Sequence, residues 1–313
     1  MGARELIVLL VLCVAWGFHY VVIKTAVGEI PPIFYAAMRM SLVALALAPF
    51  LRWRAGQMRR IFAAALCFGA VNYALMFTGL KFATASASAI ANELYVPFAT
   101  ILSVLLLKER IGWRRIVGIA LAFAGVAVIA LSRPEEASGA RIGIGVGLVA
   151  AATLIEAFGA ILVKKTTGFK PWELLAWFGL IGAPCLMAIT AFVERDQMAA
   201  FAATNRTLIA GAVLYSAFIA SIFGHTTYYW LIQRRPVSEV ASSTLLTTLL
   251  AVLFSILLLG EPLTAAIAIG GAMTLAGVGI VLLRAPATAP EPGAPESIVV
   301  APQRTLEAEN EKA

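Results

Sequence analysis

One stretch of this chain nearly repeats another, and the repeat limits the fold more than any other feature. The first copy starts at Ala99 and reads ATILSVLLLKERIGWRRIVGIALAFAGVAVIAL; the second starts at Ala251 and reads AVLFSILLLGEPLTAAIAIGGAMTLAGVGIVLL. A constant shift of 152 residues lays Ser103 on Ser255, Glu109 on Glu261, Gly118 on Gly270 and Gly125 on Gly277. The match runs through loops and glycines, so shared hydrophobicity alone does not explain it. Internal repeats in an apolar chain are a signature of carriers whose two pseudo-symmetric halves hold one site between them.

Apolar residues make up 61% of the chain and charged residues only 13%, against about 25% charged in a soluble domain. They come in blocks of about 20, the length a helix needs to cross a hydrocarbon core. Ten such blocks are counted, at about 5–25, 32–51, 61–80, 86–107, 112–131, 142–163, 172–193, 207–232, 239–259 and 263–283. The first is too long for a signal peptide, carries His19 and Tyr20, and is followed by no small-residue cleavage motif, so it is expected to be a retained helix. Cys13, Cys67 and Cys185 all fall inside spans. They are expected to be inert apolar thiols, with no disulfide framework, metal or cofactor implied.

A net charge of +7 would suggest nucleic acid in a soluble chain. Here the cations sit between spans, where they set orientation. Lys and Arg concentrate in alternate loops, at Arg52, Arg54, Arg59 and Arg60, at Lys108, Arg110, Arg114 and Arg115, and at Lys164, Lys165 and Lys170. The positive-inside rule then places both termini in the cytoplasm, in an inner (plasma) membrane. The loop at Glu109 is rich in cations, whereas its counterpart at Glu261 carries none. At a shift of 140, Lys24 matches Lys164 and Pro31 matches Pro171, yet only the second loop accumulates Lys165 and Lys170. Opposite charge bias at equivalent loops is what an inverted pair requires. The expected architecture is therefore an all-α integral membrane protein, ten transmembrane helices arranged as two inverted five-helix repeats, residues 1–136 and 137–284. The change of shift implies about twelve extra residues, placed in the loop 194–206. Residues 285–313 are rich in Pro, Ala and Glu and are expected to form a disordered cytoplasmic tail.

Several of these segments carry a resemblance. AWGFHYVVIK at 15–24, the proline pair at 31–32, Arg39 and the two repeated turns resemble EamA-type members of the drug/metabolite transporter superfamily, over about residues 5–284. The resemblance implies a ten-helix carrier, in a family with many exporters of amino acids and related metabolites. It implies little about substrate, because the shared motifs mark the scaffold. Glu93 and Tyr95 depart from the common pattern, standing where small or apolar residues are usual.

Ionisable groups inside a span are functional candidates, since each costs about 2.5–3.5 kcal/mol at mid-span on insertion scales. Because the resemblance includes an arginine here, Arg39 is read first as a structural ion pair or a snorkelling side chain; bidentate binding of a substrate carboxylate is the other reading. Glu93 forms a polar stripe with Ser86 and Thr100 at seven-residue steps, and Pro97 one turn on can free a backbone carbonyl. A proton carrier, an ammonium-binding group and a neutral carboxyl paired with Arg39 all fit that pattern. Glu156 takes the place of Trp16 under the 140 shift, so the two are expected to oppose each other across a central crevice, unless Glu156 simply bonds a neighbouring helix.

His225 matches Tyr73 in the repeat, and with His19 supplies the histidines of the candidate site. Tyr215 is the deeper aromatic of the eighth helix, whereas Tyr228, Tyr229 and Trp230 read as an interfacial belt. Asn72 and Tyr73 on the third helix, Asn92 and Tyr95 on the fourth, and Thr244 and Thr248 on the ninth complete the set. Hydrogen bonds of this kind also hold bundles together. The fifth and tenth helices, with small residues every four positions, are expected to be architectural, and Glu109 and Glu261 to act as caps or loop anchors.

The leading expectation is a monomeric secondary transporter that exports a small amphiphilic metabolite, most simply an amino acid, by alternating access, with the substrate and membrane lipid as its partners. Proton coupling and facilitated diffusion both remain open. The alternative is a multidrug or cationic-compound efflux carrier. A membrane-embedded enzyme or a scaffold is remote, because the chain has only two histidines and neither a glycine-framed serine nor a Walker-type loop.

Overall fold

Residues 3–107, 111–132, 141–232 and 237–283 are described by the computed structural model, and every regular element within them is helical. Nine helices among the described residues are long and apolar enough to cross a membrane. They are α1 (Arg4–Glu29), α2 (Pro32–Phe50), α3 (Met58–Phe82), α4 (Ala85–Leu106), α5 (Trp113–Leu131), α6 (Ile142–Lys164), α7 (Pro171–Val193), α8 (Arg206–Tyr228) and, last in the chain, α10 (Ala265–Leu283). Between the last two lies α9 (Val237–Leu259), which contains the apolar run Leu245–Leu259. A short helix, Gln197–Ala203, occupies the loop where the change of repeat shift placed extra residues. Glu109, the boundary at 136/137 and the tail from 285 lie outside the described residues.

Local chemistry sets where the helices start. Pro32 sits at the first turn of α2, where its missing N–H costs nothing. Thr84 accepts from Ala87 N to cap α4, and Asn205 accepts from Thr207 N and Leu208 N to cap α8. α4 is interrupted at Glu93 and Leu94, between Ala85–Asn92 and Tyr95–Leu107. Pro97 has no N–H to offer the Glu93 carbonyl, which instead accepts from Val96 N at 3.3 Å. Two π-helical segments, Leu66–Val71 in α3 and Tyr215–Phe223 in α8, widen their helices at mid-length.

Glycine lets the architectural helices meet backbone to backbone. α5 and α10 cross so closely that a Cβ added at Gly125 would stand 2.5 Å from the Gly270 carbonyl oxygen, and one at Gly118 would stand 2.8 Å from that of Gly277. Such small-residue seams are how helices associate when lipid is as apolar as the side chains.

Carboxylates fasten the helix ends. Glu261 accepts from Ala85 N at 2.6 Å, Ser86 N at 3.0 Å and Ser86 Oγ at 2.7 Å, so it is a cap, donated by the loop after α9 to the start of α4. Lys24 Nζ donates to the Leu80 carbonyl at 2.7 Å, at the same end of the bundle. α2 and α7 are tied at both tips. Glu194 accepts from Ile33 N and Phe34 N, each at 2.9 Å, at one tip. At the other, the buried Glu173 pairs with Arg52 at 3.3 Å and Arg54 at 3.6 Å.

Candidate functional site

Four helices, α1, α2, α3 and α8, bring a polar cluster together in the middle of the bundle. Its centre is Arg39, only 3% exposed. Arg39 Nε and Nη2 donate to Ser221 Oγ at 3.0 and 2.8 Å, and Nη2 donates to Tyr73 Oη at 3.2 Å. The guanidinium carbon lies 4.4 Å from the centroid of the Tyr73 ring and 5.6 Å from that of Phe77. Ring faces of this kind attract a cation and offset part of the cost of burying it.

The π-helical turn of α8 makes this arrangement possible. Ser221 Oγ donates to Ser216 O at 2.8 Å, an i to i−5 contact that brings two serines onto one side of the helix. Ser216 Oγ meets both His19 Nε2 at 2.9 Å and Tyr35 Oη at 2.5 Å, and Tyr35 Oη reaches Ala212 O at 3.0 Å. One set of proton positions satisfies every member: His19 donates to Ser216, Ser216 to Tyr35, and Tyr35 to the Ala212 carbonyl. Tyr35, Ser216 and Ser221 are all buried.

Among the described residues neither the Glu93 nor the Glu156 carboxyl hydrogen-bonds into this chain. Glu93, at the break in α4, is buried and accepts from Thr248 Oγ1 of α9 at 2.6 Å. Glu156 of α6 is half-buried and accepts from Asn72 Nδ2 of α3 at 3.3 Å, while the same amide also donates to Ala152 O at 3.0 Å. Trp16 of α1 donates Nε1 to Ala220 O at 2.9 Å and packs edge-on against His225, their centroids 5.8 Å apart. His225 Nδ1 lies 2.9 Å from Ser221 O.

Of the candidate residues, Arg39, Tyr73 and His19 fall in the cluster around Ser216 and Ser221, Asn72 bonds Glu156, and Glu93 bonds Thr248. Two expectations need correction. Glu93 does not share a working polar stripe with Ser86 and Thr100: Ser86 is taken by Glu261, and Thr100 donates to its own Val96 carbonyl at 2.8 Å. Nor does Arg39 form an ion pair among the described residues, where neither Glu93 nor Glu156 is within salt-bridge distance of it. Tyr215 lines a cleft of about 280 Å³ between α1 and α8, with Phe18, Val21 and Gly211, and donates to Ala15 O at 2.8 Å. Asn92 and Tyr95 are half-buried beside the α4 break. Thr244 falls outside the described side chains. Tyr35, Ser216 and Ser221 were not singled out by the sequence, because five-residue spacing puts two serines on different faces of an ordinary α-helix.

Known proteins share this scaffold. The model of the EamA-like transporter family matches residues 3–131 and 143–283. A Salmonella typhimurium protein described as a probable amino-acid metabolite efflux pump is 28% identical over 287 residues, covering 90% of this chain and 95% of that protein. An Archaeoglobus fulgidus protein described as an uncharacterized transporter is 25% identical over 285 residues, covering 89% of this chain and 99% of that one. A solved crystal structure superposes with a TM-score of 0.59 at 16% identity, covering 91% of this chain and 98% of the other, and that likeness concerns the fold alone.

Proposed function

Because the chain belongs to the EamA-like transporter family, we propose that it is a secondary carrier that exports a small amphiphilic metabolite, an amino acid in the first instance. The observation that carries this reading is the set of polar pairs that six helices hold inside the bundle, Arg39 with Ser221, Glu93 with Thr248 and Asn72 with Glu156, where lipid-facing chemistry has no use for them. The efflux role printed for the Salmonella relative points the same way.

Ten helices arranged as two inverted five-helix halves, residues 1–136 and 137–284, would alternately expose that centre to each side. Contact exchange supports the mirror relation. Gly118 meets Gly277 while Gly125 meets Gly270, and the repeat equates Gly118 with Gly270 and Gly125 with Gly277. Such reciprocity is what a two-fold operator produces. The charge bias of the loops supports an inner membrane with both termini cytoplasmic. Counterflow in proteoliposomes loaded with an amino-acid mixture tests the reading. Exchange well above that of empty liposomes is expected, and its absence for every metabolite and dye tried would refute a carrier.

A further inference from the structure

Resting on that carrier reading, we infer that Arg39 is the group that reads a carboxylate on the transported solute, so that the site takes carboxylate-bearing amphiphiles and not lipophilic cations. A cation buried at this depth is costly unless an anion accompanies it. Among the described residues the hydrogen-bond and ring partners of Arg39 are neutral, Ser221, Tyr73 and two ring faces, and no carboxylate bonds it directly. Glu93 is engaged by Thr248 and Glu156 by Asn72, and neither is in an ion pair with it.

The guanidinium is also held in a way that suits a ligand. Nε and Nη2 are pinned on one serine oxygen, whose own proton is committed to the Ser216 carbonyl, so the fork is fixed in orientation. Nη1 makes no hydrogen bond among the described residues. With Nε on Ser221 and both Nη2 protons on Ser221 and Tyr73, Nη1 is the nitrogen left to donate a charge-assisted bond to a carboxylate oxygen. Glu156, half-buried and held by Asn72, the residue next to Tyr73, is then the candidate acceptor for an ammonium.

The test compares paired solutes. Proteoliposomes are loaded with common L-amino acids, the matching amino-acid amides, or tetraphenylphosphonium, and exchange of each is followed by mass spectrometry. Wild-type protein is expected to exchange acids and to discriminate against amides. Arg39→Gln is expected to slow the acids about 100-fold, the scale of losing charge-assisted bonds, and the amides far less, so that the acid-to-amide ratio falls about 30-fold. Arg39→Lys and Ser221→Ala, which keep a cation in place, are expected to reduce the acid-to-amide ratio about 10-fold and serve if the glutamine variant does not fold. Acids and amides falling together would reveal a purely structural arginine and overturn the inference. Exchange of tetraphenylphosphonium alone would also overturn it while leaving the carrier reading intact. No exchange of any solute would remove both.

Discussion

The π-helical turns of α3 and α8 occupy equivalent places in the repeat, since a shift of 152 carries Leu66–Val71 into Tyr215–Phe223. Their chemistry is opposite. In α3 the turn carries Gly69, which packs so tightly on α7 that an added Cβ would stand 2.2 Å from the Phe178 carbonyl oxygen, and Phe68 stacks on Phe178 at 5.0 Å. In α8 the matching residue is Ser221, and it accepts from Arg39. Three residues further on, Asn72 in α3 holds Glu156, whereas Gly224 in α8 makes room for the Trp16 indole. The same backbone irregularity therefore serves as a dry seam in one half and a polar seat in the other. π-bulges tend to mark functional sites; here the residue placed on the bulge decides what the bulge is for.

The comparison breaks most readily at the dry seam. Gly182→Leu drives a side chain into Gly69, whose carbonyl oxygen would lie 2.2 Å from the new Cβ. Loss of about 3 kcal/mol or more is expected, read as aggregation or a lowered midpoint in thermal gel filtration. Gly224→Ala comes next. Its Cβ would stand 2.3 Å from Trp16 Nε1, so the indole must leave the Ala220 carbonyl at a cost of about 2 kcal/mol; unchanged tryptophan fluorescence and stability would count against the equivalence with Asn72. Glu156→Gln keeps the contact with Asn72 and removes only the charge. Exchange is expected to fall about 10-fold with stability altered by less than about 1 kcal/mol, and a variant as active as wild type would strip Glu156 of any role with solute. Smallest of all is Gly211→Ala. Nothing lies within 4 Å of its added Cβ, so a change below about 0.5 kcal/mol is expected.

Much of this was legible before any coordinates. Span length and the repeat revealed the helical bundle, and the glycines shared by the two copies proved to be the α5–α10 seam. Arg39 and Glu156 stood out because charge at mid-span is expensive, and Glu261 because it recurred at a span end. The partners were not legible. Ser216 and Ser221 align only once the helix widens by one residue, and no side-chain pattern announces a π-turn. Ser86 looked like part of a stripe with Glu93 because the seven-residue spacing assumed an unbroken helix, and α4 is broken at Glu93. Which neighbour each carboxyl chose depended on crossings between helices, which periodicity along one helix does not encode.

The carboxylates at the two tips of α2 and α7 have a mechanical consequence. To slide one rod along the other, Glu194 would have to abandon two amide protons at the same moment that Glu173 lost its arginines. That double forfeit makes the pair the keel of the molecule.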